Sequence, residues 1–229
     1  MLARRSFFSK LGFGLVGGAA AGAAGSPALA QSSEGGRFDP ARHAQDDWFD
    51  QIPGKHRYVV DAPNVEGFGD ALAFLNNYFN TNQTDYGLKD SDLAVVLIAR
   101  HLSTAFAYND TIWAKYGKPI AGRNNFLDPK TKEAPTVNLF NVTGYDGPQL
   151  PNRGNTIDAL LKRGLRMGVC QVATRGYAGA IAMATGSTQA AVFEELKANL
   201  LPNARLVPAG IVAVNRAQER GYTLATVER

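Results

Sequence analysis

The stretch at residues 165–176, LRMGVCQVATRG, decides the fold, because a short apolar run ends at Cys170 and a helix-compatible segment follows at once. An apolar run that leads into a helix is typical of the strand-to-helix corner of a βαβ unit. Open α/β sheets bind their ligands beside the carboxyl ends of the strands. The pattern therefore predicts that Cys170 lies at the ligand-binding edge of a parallel sheet.

Cys170 is the single cysteine of the chain, and two interpretations of it stay open. If a helix begins at Gln171, its unpaired N–H groups and its dipole favour a thiolate, the nucleophilic form of the side chain. Free cysteine is also among the most buried residue types, and often it only packs. The sequence thus predicts either a reactive thiol or a buried structural thiol. Because the chain has a single cysteine, an intramolecular disulfide is excluded.

Strand and helix patterns alternate on both sides of this stretch. The run DLAVVLIA at residues 92–99 is continuous and β-branched, as expected for a strand buried on both faces of a parallel sheet. Further strands are predicted at residues 56–61, 204–208 and 222–227. Helices are predicted at residues 68–80, 109–116, 155–163, 173–184, 188–200 and 211–220. This alternation predicts an α/β fold of the three-layer α/β/α sandwich type.

The first 30 residues have the pattern of a cleavable export signal. Arg4 and Arg5 precede a weakly apolar, Gly/Ala-rich core, and the small residues Ala28 and Ala30 form a cleavage site before Gln31. The arginine pair is similar to a twin-arginine signal. We therefore expect a periplasmic protein that is not membrane-bound after cleavage.

Two further segments are expected to be irregular. Residues 31–55 are polar around Trp48 and Phe49, which indicates an N-terminal arm with an aromatic anchor before a domain at residues 56–229. Residues 117–154 are rich in proline and glycine, which predicts a long loop. That loop is either a lid over the strand ends or a surface excursion that packs Phe126, Leu139 and Phe140.

Charge and motifs exclude several classes of function. Cleavage removes three basic residues and no acidic ones, so the net charge falls from +4 to +1 and gives no reason to expect nucleic-acid binding. The histidines His43, His56 and His101 are widely spaced, so no metal site is predicted. No Walker-type loop or GxSxG motif is present, and no cofactor is expected.

Three segments together resemble the DsrE/DsrF-like sulfur-relay family: LRMGVCQVATRGY, NARLVPAGIVAVNRAQERGYTLATV and IARHLSTAFAYNDTIWAKYGK. The resemblance implies a mainly parallel, five-stranded sheet and a homo-oligomer. It also implies that Cys170 accepts a persulfide sulfur and passes it on, with a sulfur donor or acceptor protein, or a small sulfur compound, as its partner. The pair Arg175-Gly176 matches an arginine-glycine pair that follows this cysteine in the family.

Other side chains are candidates for the same site. His101 follows the buried strand directly, so we expect it at the same sheet edge as Cys170, where it either accepts the thiol proton or caps the strand. Arg175 is a candidate to bind an anionic sulfur compound such as sulfite or thiosulfate, and Asn109 is a candidate for ligand binding or for a helix cap. Trp113 and Tyr116 are expected in the core or in an oligomer contact.

Two functions from different classes remain. The first is a sulfur carrier or sulfur-compound-binding protein that uses Cys170. The second is a non-catalytic α/β module for oligomerisation or small-ligand binding, with a structural thiol.

Overall fold

The computed structural model describes residues 39–145 and 150–229. Five strands form one parallel sheet in the order β4-β3-β2-β1-β5. The strands are β1 (His56–Ala62), β2 (Leu93–Ala99), β3 (Arg166–Cys170), β4 (Ala204–Val207) and β5 (Thr223–Thr226). The predicted α/β class and the five-stranded sheet are confirmed, and all pairings are parallel. The export-signal residues Arg4, Arg5, Ala28 and Ala30 lie outside the described residues.

Helices cover both faces of the sheet. They are α1 (Trp48–Gln51), α2 (Val65–Tyr86), α3 (Asp110–Asn124), α4 (Ile157–Lys162), α5 (Gln171–Thr185), α6 (Gln189–Ala198) and α7 (Gly210–Glu219). In the described ranges, no helix has both the length and the apolar character needed to cross a membrane.

The strand order explains which face each helix covers. From β1 to β4 the chain always moves in the same direction across the sheet, so right-handed crossovers place the connecting helices on one face. The larger apolar core lies there and includes side chains of α2 to α6. From β4 to β5 the chain moves back, so α7 lies on the opposite face with α1, over a second core.

The central strand β2 is buried along its whole length, as its continuous apolar sequence predicts. Its side chains alternate between the two cores: Val95 and Leu97 pack in the larger core, and Val96 and Ile98 pack in the smaller one. The neighbouring strands β1 and β3 pair with it on either side. The carboxyl ends of all five strands therefore lie at one edge of the sheet.

Helix α3 is longer than the sequence pattern predicts. The sequence predicts a helix at residues 109–116 that ends before Gly117 and Pro119. In the structure, α3 continues to Asn124 with Pro119 inside it. Proline removes one helical hydrogen bond, the one to Lys115. The buried side chains of Ile120 and Ala121 hold the last turns against neighbouring elements, so tertiary packing outweighs the local signal. The predicted loop accordingly begins at Asn125.

Candidate functional site

The topology creates a crevice at the carboxyl ends of β3 and β4. Strand β3 leads into α5 on one face of the sheet, whereas β4 leads into α7 on the other face. Ligands of open α/β sheets bind where two neighbouring connections leave in opposite directions in this way. Here that point lies between Cys170 and Gly210, each next to the start of a helix.

A cavity of about 400 Å³ lies at this point. Its walls come from the ends of three strands, the end of α3 and the first turns of α5 and α7. They are formed by Arg100, His101, Arg123, Cys170, Val172, Ala173, Ala209, Gly210 and Ile211. The basic side chains and the cysteine thus share one crevice with two helix N-termini.

Cys170 is the N-cap residue of the 15-residue helix α5. Its Sγ accepts a hydrogen bond from the backbone N–H of Ala173 at 3.4 Å. This contact and the helix dipole both stabilise negative charge on the sulfur. The residue is 7% exposed, and it is one of the residues that line the cavity. The strand-to-helix junction expected at Cys170 is thus present in the structure.

A buried chain of hydroxyl groups holds the first turn of α5. The hydroxyl of Tyr108 donates to Thr174 Oγ1 at 3.0 Å. Thr174 Oγ1 in turn donates to the carbonyl oxygen of Cys170 at 3.0 Å. Burial raises the pKa of Tyr108, so its hydroxyl keeps the proton that it donates. Because both hydroxyls are fully buried, the backbone position of Cys170 depends on a chain of well-defined hydrogen bonds.

Arg100 is held in place by a carboxylate and by the start of α7. Its Nε and Nη2 donate to the two carboxylate oxygens of Asp61 at 2.7 and 2.8 Å, a bidentate contact. Asp61 is 3% exposed, near the end of β1. On the other side, Gly210 approaches so closely that an added Cβ would lie 2.5 Å from the Cβ of Arg100. Arg100 is therefore a preorganised cation whose charge is compensated.

Arg123 is the second arginine of the crevice and is held differently. It lies in the last turn of α3, and its guanidinium stands 4.9 Å from the ring centroid of Tyr177 in α5. The hydroxyl of Tyr177 donates to the carbonyl oxygen of Leu102 at 2.9 Å, which fixes the ring. Within the described part of the chain, Arg123 forms no ion pair. Its charge is therefore available to a ligand.

His101 lines the same cavity as Cys170, at the sheet edge that the sequence indicates. It is exposed, and it begins the 3-10 helix His101–Ala107 with a φ of 55°, in the left-handed region. A residue other than glycine rarely adopts this conformation, and such residues concentrate at functional sites. In the residues that the structure describes, no hydrogen bond joins His101 to Cys170.

The other candidates are placed outside the crevice. The guanidinium of Arg175 lies 5.0 Å from the ring centroid of Phe193 in α6. Asn109 caps α3, since its side chain accepts from the N–H of Ile112 at 3.4 Å, and its Nδ2 donates to Asn199 at 3.2 Å. Neither residue lines the cavity. The geometry therefore gives Arg175 and Asn109 structural contacts.

The aromatic residues that the sequence predicts in the core, at an oligomer contact or as an anchor lie inside the chain's own cores. Trp113 and Tyr116 are buried in the larger core, and Trp48 and Phe49 are buried in the smaller one. The segment at 43–52 therefore packs against the sheet through Trp48 and Phe49, as expected for an aromatic anchor. These four side chains are unavailable to a second copy of the chain.

The segment after α3 packs against the larger core. Phe140 lies 4.5 Å, centroid to centroid, from Phe106, and Phe126 lies 5.3 Å from the same ring. No described residue of 125–156 lines the cavity beside Cys170. Of the two sequence-based interpretations of this loop, the packed excursion agrees with the positions of these rings.

Sequence reasoning missed Arg100, Arg123, Asp61 and Gly210. The sequence contains a signal for Arg100 and Asp61. Asp61 lies near the carboxyl end of β1, Arg100 directly follows β2, and the two side chains have opposite charges. Arg123 had no such signal, since the predicted helix ended before it. Gly210 could not be recognised because only the tertiary structure brings it against Arg100.

The lining residues of the crevice carry arginine and histidine side chains but no carboxylate, and the nearby Asp61 is occupied by Arg100. Two helix N-termini add partial positive charge. Within the described ranges, no group of three or more His, Cys, Asp or Glu side chains is arranged to hold a metal ion. The arrangement favours an anionic ligand next to a cysteine sulfur.

Comparison with known proteins gives little further information. No protein-family model matches the sequence, and no curated protein matches it. A solved structure of a protein of unknown function from Methanobacterium thermoautotrophicum is similar, at 13% identity and a TM-score of 0.39. The alignment covers 75% of this chain and 99% of that one. A likeness at this level assigns no function to the crevice.

Proposed function

We propose that this protein is an exported, thiol-dependent sulfur carrier, in which Cys170 takes up a sulfane sulfur as a persulfide and passes it on. One observation carries the proposal: the Cys170 sulfur caps α5 inside a basic crevice. A thiolate and a deprotonated persulfide are both anionic sulfur groups, and the N–H of Ala173 and the helix dipole stabilise such charge. The sequence resemblance to DsrE/DsrF-like proteins supports the same chemistry.

The test is sulfur loading of the native protein. After incubation with a sulfane-sulfur donor, the intact mass of the wild type should rise by about 32 mass units, one sulfur atom at the thiol. Cys170→Ser should gain nothing. A small alkylating agent, applied to the folded protein over a range of pH, should modify Cys170 in competition with the donor. Absence of loading in the folded protein, together with loading after denaturation, would contradict the carrier function.

His101 is proposed to assist this chemistry by exchanging a proton with the sulfur or its ligand. His101→Ala should load sulfur more slowly than the wild type. An unchanged rate would remove His101 from the site without affecting the case for Cys170.

A second function is favoured by the low exposure of the thiol. At 7% exposure Cys170 has the burial of a structural cysteine, which suits a module for oligomerisation or small-ligand binding. In that case the native thiol stays unreactive. Sedimentation at micromolar concentration tests the oligomer directly, since a monomer would count against self-association.

A further inference from the structure

In the part of the chain that the structure describes, the two arginines of the crevice differ in whether a carboxylate neutralises them. Arg100 is already paired with Asp61 through two hydrogen bonds. Arg123 lines the same cavity, contacts the face of Tyr177 and has no carboxylate partner among the described residues. Guanidinium groups bind carboxylates through two parallel hydrogen bonds. Arg123 is therefore the arginine of the crevice whose charge is open to an anionic ligand.

The mouth of the crevice is apolar. Val172, in the first turn of α5, is 63% exposed, and Ile211, in the first turn of α7, is 60% exposed. Both side chains line the cavity, one from each of the two helices. A ligand with an apolar part would remove this surface from water, whereas an inorganic anion would not.

The size of the cavity agrees with an organic ligand. Its volume is about 400 Å³, within the range of sites for small organic molecules. An inorganic oxyanion such as thiosulfate is small for a space of this volume.

We propose that the crevice binds a small organic persulfide that carries a carboxylate. The carboxylate contacts Arg123, the organic body covers Val172 and Ile211, and the terminal sulfur meets Cys170. This inference rests on the proposed function, because it names the donor from which Cys170 takes its sulfur.

The transfer needs no further reactant. The Cys170 thiolate attacks the terminal sulfur of the persulfide R–S–SH. The donor's S–S bond breaks as a new S–S bond to Cys170 forms, and R–S⁻ leaves with the electron pair. The proton stays on the transferred sulfur. One thiolate is consumed and one is released, so charge and oxidation state balance.

The experiment compares two donors that differ only in the carboxylate: the persulfides of N-acetylcysteine and of N-acetylcysteamine. Wild type should gain one sulfur from the carboxylate-bearing donor faster, on the order of tenfold, as expected for one charge-assisted contact. Thiosulfate should be a poorer donor than either. Arg123→Gln should lose the preference between the two persulfides. Lys118→Gln, which removes a charge from the same helix away from the cavity, should keep it.

A non-reactive probe separates this inference from the proposed function. N-acetyl-S-methylcysteine has the carboxylate and the organic body but no transferable sulfur, so its binding to Cys170→Ser reports on the crevice alone. If no donor loads the wild type but this probe binds and Arg123→Gln weakens it, the carrier function fails and the ligand class stands. Equal loading from both persulfides, or faster loading from thiosulfate, would overturn the ligand class and leave the carrier function intact. The donor comparison on wild type decides the matter even if Arg123→Gln fails to fold.

Discussion

At the scale of single residues, Gly210 connects the start of α7 to the basic side of the crevice. An added methyl group would lie 2.5 Å from the Cβ of Arg100, closer than two non-bonded carbon atoms approach. Because Arg100 is anchored by Asp61, it cannot move aside without straining that ion pair. The absence of a side chain at position 210 is therefore a packing requirement.

We predict that Gly210→Ala lowers the free energy of unfolding by about 1–3 kcal/mol, as overpacking does in a close-packed interior. Chemical denaturation measures the change. Gly122→Ala is the matched control, since an added Cβ at that helical glycine meets nothing within 4 Å. The control should be neutral or stabilising, by up to about 1 kcal/mol. Equal stability of the two variants would show that Arg100 adapts freely.

At the scale of secondary-structure elements, the first turn of α5 depends on the hydroxyl chain that runs from Tyr108 through Thr174 to the Cys170 carbonyl. Tyr108 precedes α3, so this chain ties two elements that are distant in the sequence. Burial of all its polar atoms makes each hydrogen bond costly to lose.

Thr174→Val keeps the shape of the side chain but removes both hydrogen bonds of the hydroxyl. We expect a loss of about 1–3 kcal/mol in the free energy of unfolding, because the buried hydroxyl of Tyr108 is left without a partner. Alkylation of Cys170 in the folded protein should become faster as the turn loosens. Thr185→Val in the same helix is the control: it loses only the bond to the Ile181 carbonyl, at 2.8 Å, and should change neither quantity much.

The contact between α3 and α6 should depend on pH. Glu195 in α6 accepts hydrogen bonds from Lys115 Nζ at 2.6 Å and from the Tyr116 hydroxyl at 2.6 Å, and these contacts hold the pKa of Glu195 below its ordinary value. A carboxylate with a depressed pKa contributes stability above its unfolded pKa of about 4.5 and loses it as the pH falls through the folded pKa.

Glu195→Gln should therefore lower the thermal midpoint at pH 7, by no more than a few degrees since the pair is partly exposed. The difference from wild type should shrink below about pH 4.5 as the wild-type carboxylate becomes protonated. Glu194→Gln is the control, because Glu194 is exposed and its partner Lys197 lies in the same helix. A pH-independent difference for Glu195→Gln would mean that the carboxylate charge plays no part in the contact.

At the scale of the whole molecule, the segment before β1 completes the smaller core. Phe49 is fully buried there, and the hydroxyl of Tyr222, in the turn before β5, donates to the carbonyl oxygen of Phe49 at 2.7 Å. Burial raises the pKa of Tyr222 to about 12. The side chain of Arg220 donates to Asp50 at 3.2 Å in the same region. This face of the sheet therefore depends on contacts between the two ends of the described chain.

We predict that Phe49→Ala lowers the free energy of unfolding by about 3–5 kcal/mol, the usual cost of deleting a buried aromatic ring. Phe74→Ala is the control, since Phe74 is 48% exposed in α2 and should change stability by no more than about 0.5 kcal/mol. Thermal and chemical denaturation measure both variants. A small effect of Phe49→Ala would show that the segment at 43–52 is dispensable to the fold.

The sequence by itself determined the order and type of the five strands and of helices α2 to α7, and the position of Cys170 at a strand-to-helix junction. These features depend on apolar periodicity and on nearby residues, which local sequence contains. The buried run of β2 predicted a parallel sheet for the same reason.

Only the tertiary structure decided what surrounds Cys170. Arg123 reaches the crevice because tertiary packing allows α3 to continue past Pro119 to Asn124. Gly210 contacts Arg100 because the chain after β4 goes to the opposite face of the sheet. The same packing directs Arg175 onto Phe193 and buries Trp113 and Tyr116. Such contacts join residues that are far apart in the chain, so no local sequence pattern predicts them. Their free energies also outweigh local conformational preferences.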